Sequence, residues 1–176
     1  MTLSEVQALL DQNGIAYHLT IEPNRATFYQ WKDFSPSDDT GAFYLLTIPN
    51  PNHSKGIELV FEDNSSDADF YDLEFGGFPY ELWGWEEEGF AQALLDEIKN
   101  ILDGRVYVIC ATDAKTGEWF ADAVYYDLEA PEWNDMDSFQ KTVTRIKKPK
   151  SWWWKLIRRT DIYEIFNWNH YEKIVK

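Results

Sequence analysis

The densest run of potential metal ligands lies at residues 63–74, where oxygen-bearing side chains follow the spacing of a calcium loop. Positions 1, 3, 5 and 12 of an EF-hand-like loop are held by Asp63, Ser65, Asp67 and Glu74. Position 6, where the loop turns sharply and wants glycine, is Ala68. The flanks have strand character, whereas an EF-hand needs helices. The same residues can form an acidic turn between two strands, and we favour this interpretation. No metal site is therefore predicted, and a calcium loop is the alternative.

Carboxylate pairs are the second set of residues that could support chemistry. They are Asp38 with Asp39, Glu62 with Asp63, Asp135 with Asp137, and the run Glu86, Glu87 and Glu88. A hydrolase needs two carboxylates in different environments across a cleft, and no local pattern here specifies that arrangement. The sequence has no glycine-rich phosphate loop, nucleophile elbow or histidine pair at zinc spacing. We therefore predict no catalytic residue and no cofactor. A carboxylate-based enzyme, with or without a divalent cation, is the alternative.

Cys110 is the only cysteine of the chain, so an intramolecular disulfide and a cysteine metal cluster are both excluded. It lies in an apolar run at 106–111, which predicts a buried residue in a strand. A nucleophilic role would require a nearby histidine or an electropositive setting. The N-terminus lacks a signal-peptide pattern, and no apolar run reaches the length of a membrane span. We expect a cytoplasmic protein with no membrane span.

The charge of the chain is strongly negative and unevenly distributed. The 176 residues carry a formal charge of −15, and 30 of them are aromatic. Residues 1–140 hold 28 acidic and 6 basic side chains, whereas residues 141–176 hold 3 acidic and 10 basic ones. An acidic surface repels nucleic acid and anionic lipid and attracts basic partners. We therefore expect a basic protein partner and no nucleic acid, although acidity that serves only solubility is an alternative.

Residues 141–159 form a basic segment with eight Lys and Arg residues, no acid, and Trp152, Trp153 and Trp154 in a row. Basic residues among aromatic ones can bind a phosphate backbone while they stack on bases. The same composition suits a membrane interface. We favour a third interpretation, in which the segment packs across the acidic surface of the protein itself.

Aromatic and acidic residues are intermixed around 78–88, which suggests a surface for a basic protein. Trp83 and Trp85 would share one face of a strand, next to Glu86, Glu87 and Glu88. An aromatic anchor among carboxylates provides both a hot spot and electrostatic steering. The loop at 129–137 has the same character. The predicted partner-binding residues are Trp83, Trp85, Glu86, Glu87, Glu88, Trp133, Asp135 and Asp137. The alternative places Trp83 and Trp85 in the core, under a helix.

These residues must be positioned by an α+β domain. A capping box at Thr2 and Glu5 predicts a helix over 3–13, and apolar spacing predicts a second helix over 90–102. Strands are predicted at 15–22, 25–32, 42–48, 56–62, 70–75, 78–85, 105–111, 118–126, 139–146 and 161–168. We expect a mostly antiparallel β-sheet with two helices packed on one face, in a single domain over 1–176 with a basic, Trp-rich segment at 141–176.

In type, the chain resembles the immunity proteins that bacteria make beside polymorphic or contact-dependent toxins. The resemblance rests on the acidic, aromatic-rich stretch 70–88 and on the overall charge. It implies a small cytoplasmic protein that binds and blocks a basic toxin domain, often a nuclease. The expected function is therefore protein binding without catalysis. The alternatives are the carboxylate enzyme above and a peripheral membrane or nucleic-acid binder that uses 141–159.

Overall fold

A computed structural model describes residues 1–22, 43–63, 68–80, 89–129, 134–149 and 160–176. The helices in these ranges are α1 (Leu3–Gln12), α2 (Phe90–Leu102) and α3 (Met136–Lys147). The strands are β1 (His18–Glu22), β2 (Phe43–Ile48), β3 (Ile57–Asp63), β4 (Ala68–Phe75), β5 (Phe78–Tyr80), β6 (Val106–Asp113), β7 (Trp119–Tyr126), β8 (Asp161–Asn167) and β9 (His170–Val175). The predicted α+β class is confirmed. The strands form two antiparallel sheets, and the chain divides into two compact units, Met1–Ile98 and Lys99–Lys176.

The first unit contains a five-stranded antiparallel sheet in which sequential strands are neighbours, in the order β1-β2-β3-β4-β5. Leu46, Leu59 and Leu73 are aligned across its three central strands, and all three are fully buried. Because side chains alternate between the two faces of a strand, this row marks the core face of the sheet. The opposite face carries the intervening residues, many of which are acidic.

Helix α1 begins at the predicted capping box. The Thr2 backbone N–H donates to Glu5 Oε2 at 2.9 Å, and the Glu5 N–H donates to Thr2 Oγ1 at 3.4 Å. The helix buries one apolar stripe, formed by Leu3, Val6 and Leu10. The N–H of Phe70 donates to the Met1 carbonyl at 2.8 Å, so the start of the chain is tied to β4.

The second unit contains a four-stranded sheet in the order β7-β6-β8-β9. Helix α3 packs on one face of this sheet, where Phe139 and Ile146 join Ile109 and Ile165 in a buried cluster. The ring of Tyr107 lies 4.7 Å from that of Phe139, between centroids. Helix α3 therefore packs on the face of the sheet that also carries the alanines of β7, Ala121 and Ala123.

The prediction of a strand over 139–146 is wrong, because these residues lie inside helix α3. Phe139, Val143 and Ile146 recur at i, i+4 and i+7, which suits one helix face as well as a short alternating run. The β-branched residues around Val143 favoured the strand in the sequence analysis. Tertiary packing of the apolar stripe against the sheet outweighs that local preference.

Other predictions are confirmed to within a few residues or fall outside the described ranges. The strand predicted at 25–32 and the second half of 78–85 fall outside them. Strand β9 was not predicted. The single-domain organisation of residues 1–176 stays a prediction. No helix in the described ranges is both long enough and apolar enough to span a membrane.

Candidate functional site

Most of the predicted partner-binding residues lie outside the part of the chain that the structure describes. These are Trp83, Trp85, Glu86, Glu87, Glu88 and Trp133, and their role stays a prediction. The tryptophans of the basic segment, Trp152, Trp153 and Trp154, also lie outside it. The described candidates are Asp135 and Asp137, at the start of helix α3.

Asp135 and Asp137 are exposed and occupy the N-terminal end of α3, where negative charge complements the helix dipole. The Asp135 N–H donates to the Tyr126 carbonyl at 2.8 Å, which ties the helix start to the end of β7. The Met136 N–H donates to Asn134 Oδ1 at 3.1 Å. The two carboxylates thus complement the dipole of α3 without capping it by a side-chain hydrogen bond from Asp135, and their exposure leaves them accessible to a partner.

The candidate calcium loop does not fold as an EF-hand. Residues from Ala68 to Glu74 belong to β4, and Asp63 pairs directly with Ala68 at the turn end of the hairpin. Glu74 is six residues further along this strand, which corresponds to roughly 20 Å at the usual strand rise. The backbone positions 1 and 12 of the loop pattern are thus far apart along the hairpin. Within the described ranges, no group of three or more His, Cys, Asp or Glu residues could hold a metal ion.

Cys110 lies in β6, as predicted, and is half-buried. The strand register places Asp122 on one side of it and Glu164 on the other. These carboxylates are the opposite of the electropositive setting that a nucleophilic thiolate needs. The geometry of β6 therefore gives no support to nucleophilic catalysis by Cys110.

The most distinctive polar surface of the first unit lies on β3 and β4. Five carboxylates from these two strands point away from the core face of the sheet, and together we call them the acidic face: Glu58, Glu62, Asp69, Asp72 and Glu74. Their neighbours along the strands, such as Leu59 and Leu73, are fully buried on the other side. The amphipathic character of the two strands thus places the acids together.

A β-bulge brings these five carboxylates to one side. Val60 pairs with Asp72 and Phe61 pairs with Phe70, so Tyr71 is the extra residue of β4. Without the bulge, Asp69 and Asp72 would point to opposite faces, because they are separated by an odd number of positions. This surface was not predicted from the sequence, because strict alternation along β4 places Asp69 and Asp72 on opposite faces.

Like charges face each other directly across the acidic face. Glu58 is paired in register with Glu74, and Glu62 is paired with Asp69. Like charges in directly opposed positions destabilise an antiparallel pair. The register of β3 and β4 thus places like charges opposite each other at two positions, and this face would attract the cations of a partner.

Glu74 shows the electrostatic consequence of this arrangement. Burial raises the pKa of Glu74 to about 7, with further contributions from the nearby charges of Glu58 and Asp72. Each of these effects disfavours the ionised form of the side chain. At neutral pH, Glu74 is therefore divided between its protonated and ionised forms.

Positive charge is scarce in the first unit. Residues 1–98 contain 19 acidic and 3 basic side chains, a formal charge of −16. Lys55 is the only one of these bases within the described ranges, and its Nζ donates to the Gly76 carbonyl at 3.4 Å. The potential around the acidic face is consequently negative.

The described part of the basic segment belongs to helix α3 and the residues that follow it. Lys141, Arg145, Lys147 and Lys148 are exposed there. Lys147 forms an ion pair with Glu172 of β9 at 2.8 Å, within the second unit. The predicted packing of the whole segment across the acidic surface stays a prediction.

No protein-family model matches the chain, and neither a curated protein nor a solved structure matches it.

Proposed function

We propose that this protein is a non-catalytic binding domain that receives a basic protein partner on its acidic face. The proposed partner is a toxin or nuclease domain, and binding blocks its activity. The observation that carries the proposal is the opposition of Glu58 to Glu74 and of Glu62 to Asp69 across one sheet face. Cationic side chains of a partner would convert this repulsion into attraction.

The overall charge of the first unit supports the same function. A formal charge of −16 over residues 1–98 attracts a basic protein over a distance of several ångströms. Electrostatic attraction of this kind mainly accelerates association, and the acceleration declines as salt increases. Rapid capture is what an inhibitor of a harmful enzyme requires.

The predicted aromatic anchors are close in sequence to the acidic face. Strand β5 pairs with β4 and ends at Tyr80, and Trp83 and Trp85 follow within five positions. In the proposed complex, these tryptophans provide the apolar hot spot, while the carboxylates set orientation and rate. Glu86, Glu87 and Glu88 extend the acidic surface in the same proposal.

A capture experiment with matched variants tests the proposal. Tagged full-length protein is incubated with a lysate of the native host and washed first at low and then at high salt. The retained proteins are identified by mass spectrometry. We expect one stoichiometric basic protein, and we expect the purified pair to show reduced catalytic activity of the partner.

The variant Glu58→Gln/Glu74→Gln should slow association with that partner by about threefold or more, because it removes one opposed pair of the acidic face. The control Asp103→Asn/Glu118→Gln removes at least as much charge from two exposed acids of the second unit, outside the predicted partner-binding residues, and should leave the rate unchanged. Equal slowing by both variants, or a partner whose own activity continues in the complex, would contradict the proposal.

A further inference from the structure

A groove in the second unit lies between helix α3 and the sheet. Its volume is about 630 Å³, which is within the usual range of small-molecule sites. Its floor is formed by Ala111 of β6 and by Ala121 and Ala123 of β7. Because these side chains are small, the helix and the sheet leave space above them.

Aromatic side chains stand beside this floor. Tyr125 and Tyr163 both line the groove. The Tyr125 hydroxyl donates to Thr142 Oγ1 of α3 at 3.0 Å, which fixes the ring against the helix. A flat aromatic ligand can therefore contact methyl groups below and ring edges at the sides.

The polar groups at the rim carry more positive charge than negative. Arg145 and Lys148 line the groove and are exposed, and neither makes an ion pair with any residue the structure describes. The Lys176 Nζ donates to the Lys148 carbonyl and is thereby engaged. Two cations thus remain available to a ligand.

The two acids of the groove are differently placed. Asp161 is buried and accepts a hydrogen bond from the Tyr163 hydroxyl at 3.5 Å, so it already has a partner within the fold. Alternation along β7 directs the Asp122 carboxylate to the opposite face from Ala121 and Ala123. The accessible charge above the apolar floor is consequently positive.

We propose that this groove binds a small aromatic carboxylate. The ring lies over the alanine floor, and the carboxylate is held by Arg145 and Lys148. Arg145 can form two parallel hydrogen bonds to a carboxylate, and Lys148 adds a second cation. The apolar floor favours a flat ring. The two cations, which have no ion-pair partner among the described residues, favour a negatively charged group. This site is separate from the acidic face and does not depend on the proposed protein partner.

The test uses full-length protein with ¹³C-labelled alanine methyl groups, whose signals are assigned with single Ala→Ser variants. The probe is 2-naphthoate, and its neutral analogue 2-naphthamide is the control ligand. We expect 2-naphthoate to shift the signals of Ala111, Ala121 and Ala123 in a saturable manner. The amide should bind about tenfold more weakly, because it lacks the charge-assisted contacts. Absence of saturable shifts at these methyls, or equal affinity for the amide, would overturn the proposal.

Two variants locate the site. Arg145→Gln should weaken 2-naphthoate binding by about threefold to tenfold, whereas Lys141→Gln, an equal charge change at an exposed position outside the groove, should leave it within about twofold. Ala123→Phe should abolish binding by filling the space above the floor.

Arg145 also suits the C-terminal end of α3, so the melting temperature is measured for each variant. A loss of stability in Arg145→Gln with unchanged affinity would assign Arg145 to the helix alone and overturn the proposal.

Discussion

The two units of this protein have similar cores and very different net charges. The first unit, Met1–Ile98, contains 19 acids and 3 bases, whereas the second, Lys99–Lys176, contains 12 acids and 13 bases and is close to neutral. Both are built on antiparallel sheets with fully buried aromatic and aliphatic residues. The comparison teaches that the charge of −15 is a property of one unit and not of the whole surface. It also separates the proposed partner surface on the acidic face from the proposed anion site in the groove.

The largest effect should come from the cores, where the two units are alike. Phe75 and Phe166 are fully buried, one in each unit. Replacement of either by Ala should lower the free energy of unfolding by about 3–5 kcal/mol, because the variant loses apolar burial and leaves a cavity. Urea titration followed by circular dichroism measures this. A cost below about 1 kcal/mol in one unit would show that its core is packed less tightly than the other.

A buried polar contact provides the next test, and it applies to the second unit. Asn167 Nδ2 donates to the Gly104 carbonyl at 2.9 Å, and Asn167 Oδ1 accepts from the Asn169 N–H at 3.0 Å. Asn167→Ala removes the donor to the buried Gly104 carbonyl and the acceptor of the partly buried Asn169 N–H, and it should cost about 1–3 kcal/mol in the same assay. Asn134→Ala, at an exposed position, is the control and should cost less. Equal costs would indicate that water replaces both contacts equally well.

The third test concerns the acidic face, and its sign depends on pH. A raised pKa means that folded Glu74 binds its proton more tightly than the unfolded chain does. This group therefore lowers stability as pH rises from its ordinary pKa to about 7. Glu74→Gln should stabilise the protein by about 1 kcal/mol at pH 8, after allowance for partial solvent screening, and should have little effect at pH 4.

The matched control for Glu74→Gln is Glu129→Gln, an exposed acid of the second unit, which should change stability little at either pH. Urea unfolding of both variants at the two pH values makes the comparison. A gain from Glu74→Gln that was the same at pH 4 and pH 8 would argue against the ionisation of Glu74 as its cause.

The smallest effect should be the response to salt. Exposed charges are screened over about 8 Å at physiological ionic strength, so salt weakens repulsion on the acidic face. Raising NaCl should stabilise the natural chain by a few tenths of a kcal/mol more than the variant Glu58→Gln/Glu74→Gln. The measurement is the difference between their unfolding free energies at low and high salt. A larger response in the variant would contradict the assignment of repulsion to this pair.

Elements that are marked by a local sequence pattern could be predicted from the sequence alone. Helix α2 has a regular apolar stripe, α1 has a capping box, and the β6–β7 hairpin has a turn rich in polar residues, so each was predicted within a few residues of its bounds. Helix α3 was assigned to a strand, because a short run with β-branched residues matches both periods. Packing against the sheet decides between them, and that information is not local.

The candidate sites were less accessible to sequence reasoning. The acids at 58, 62, 69, 72 and 74 are visible in the sequence, but their common orientation depends on the β3–β4 register and on a bulge. The groove depends on three alanines from two strands, on Arg145 of a helix that the sequence predicts as a strand, and on Lys148 just after that helix. Each site thus combines residues whose proximity is set by tertiary structure.

Tyr71 divides strand β4 into two segments of opposite parity. Core residues fall on even positions before it, at Ala68 and Phe70, and on odd positions after it, at Leu73 and Phe75. A substitution within β4 changes a single contact, whereas the loss or gain of one residue would exchange acids and core residues along a whole segment. Evolution can therefore vary the composition of this strand far more freely than its length.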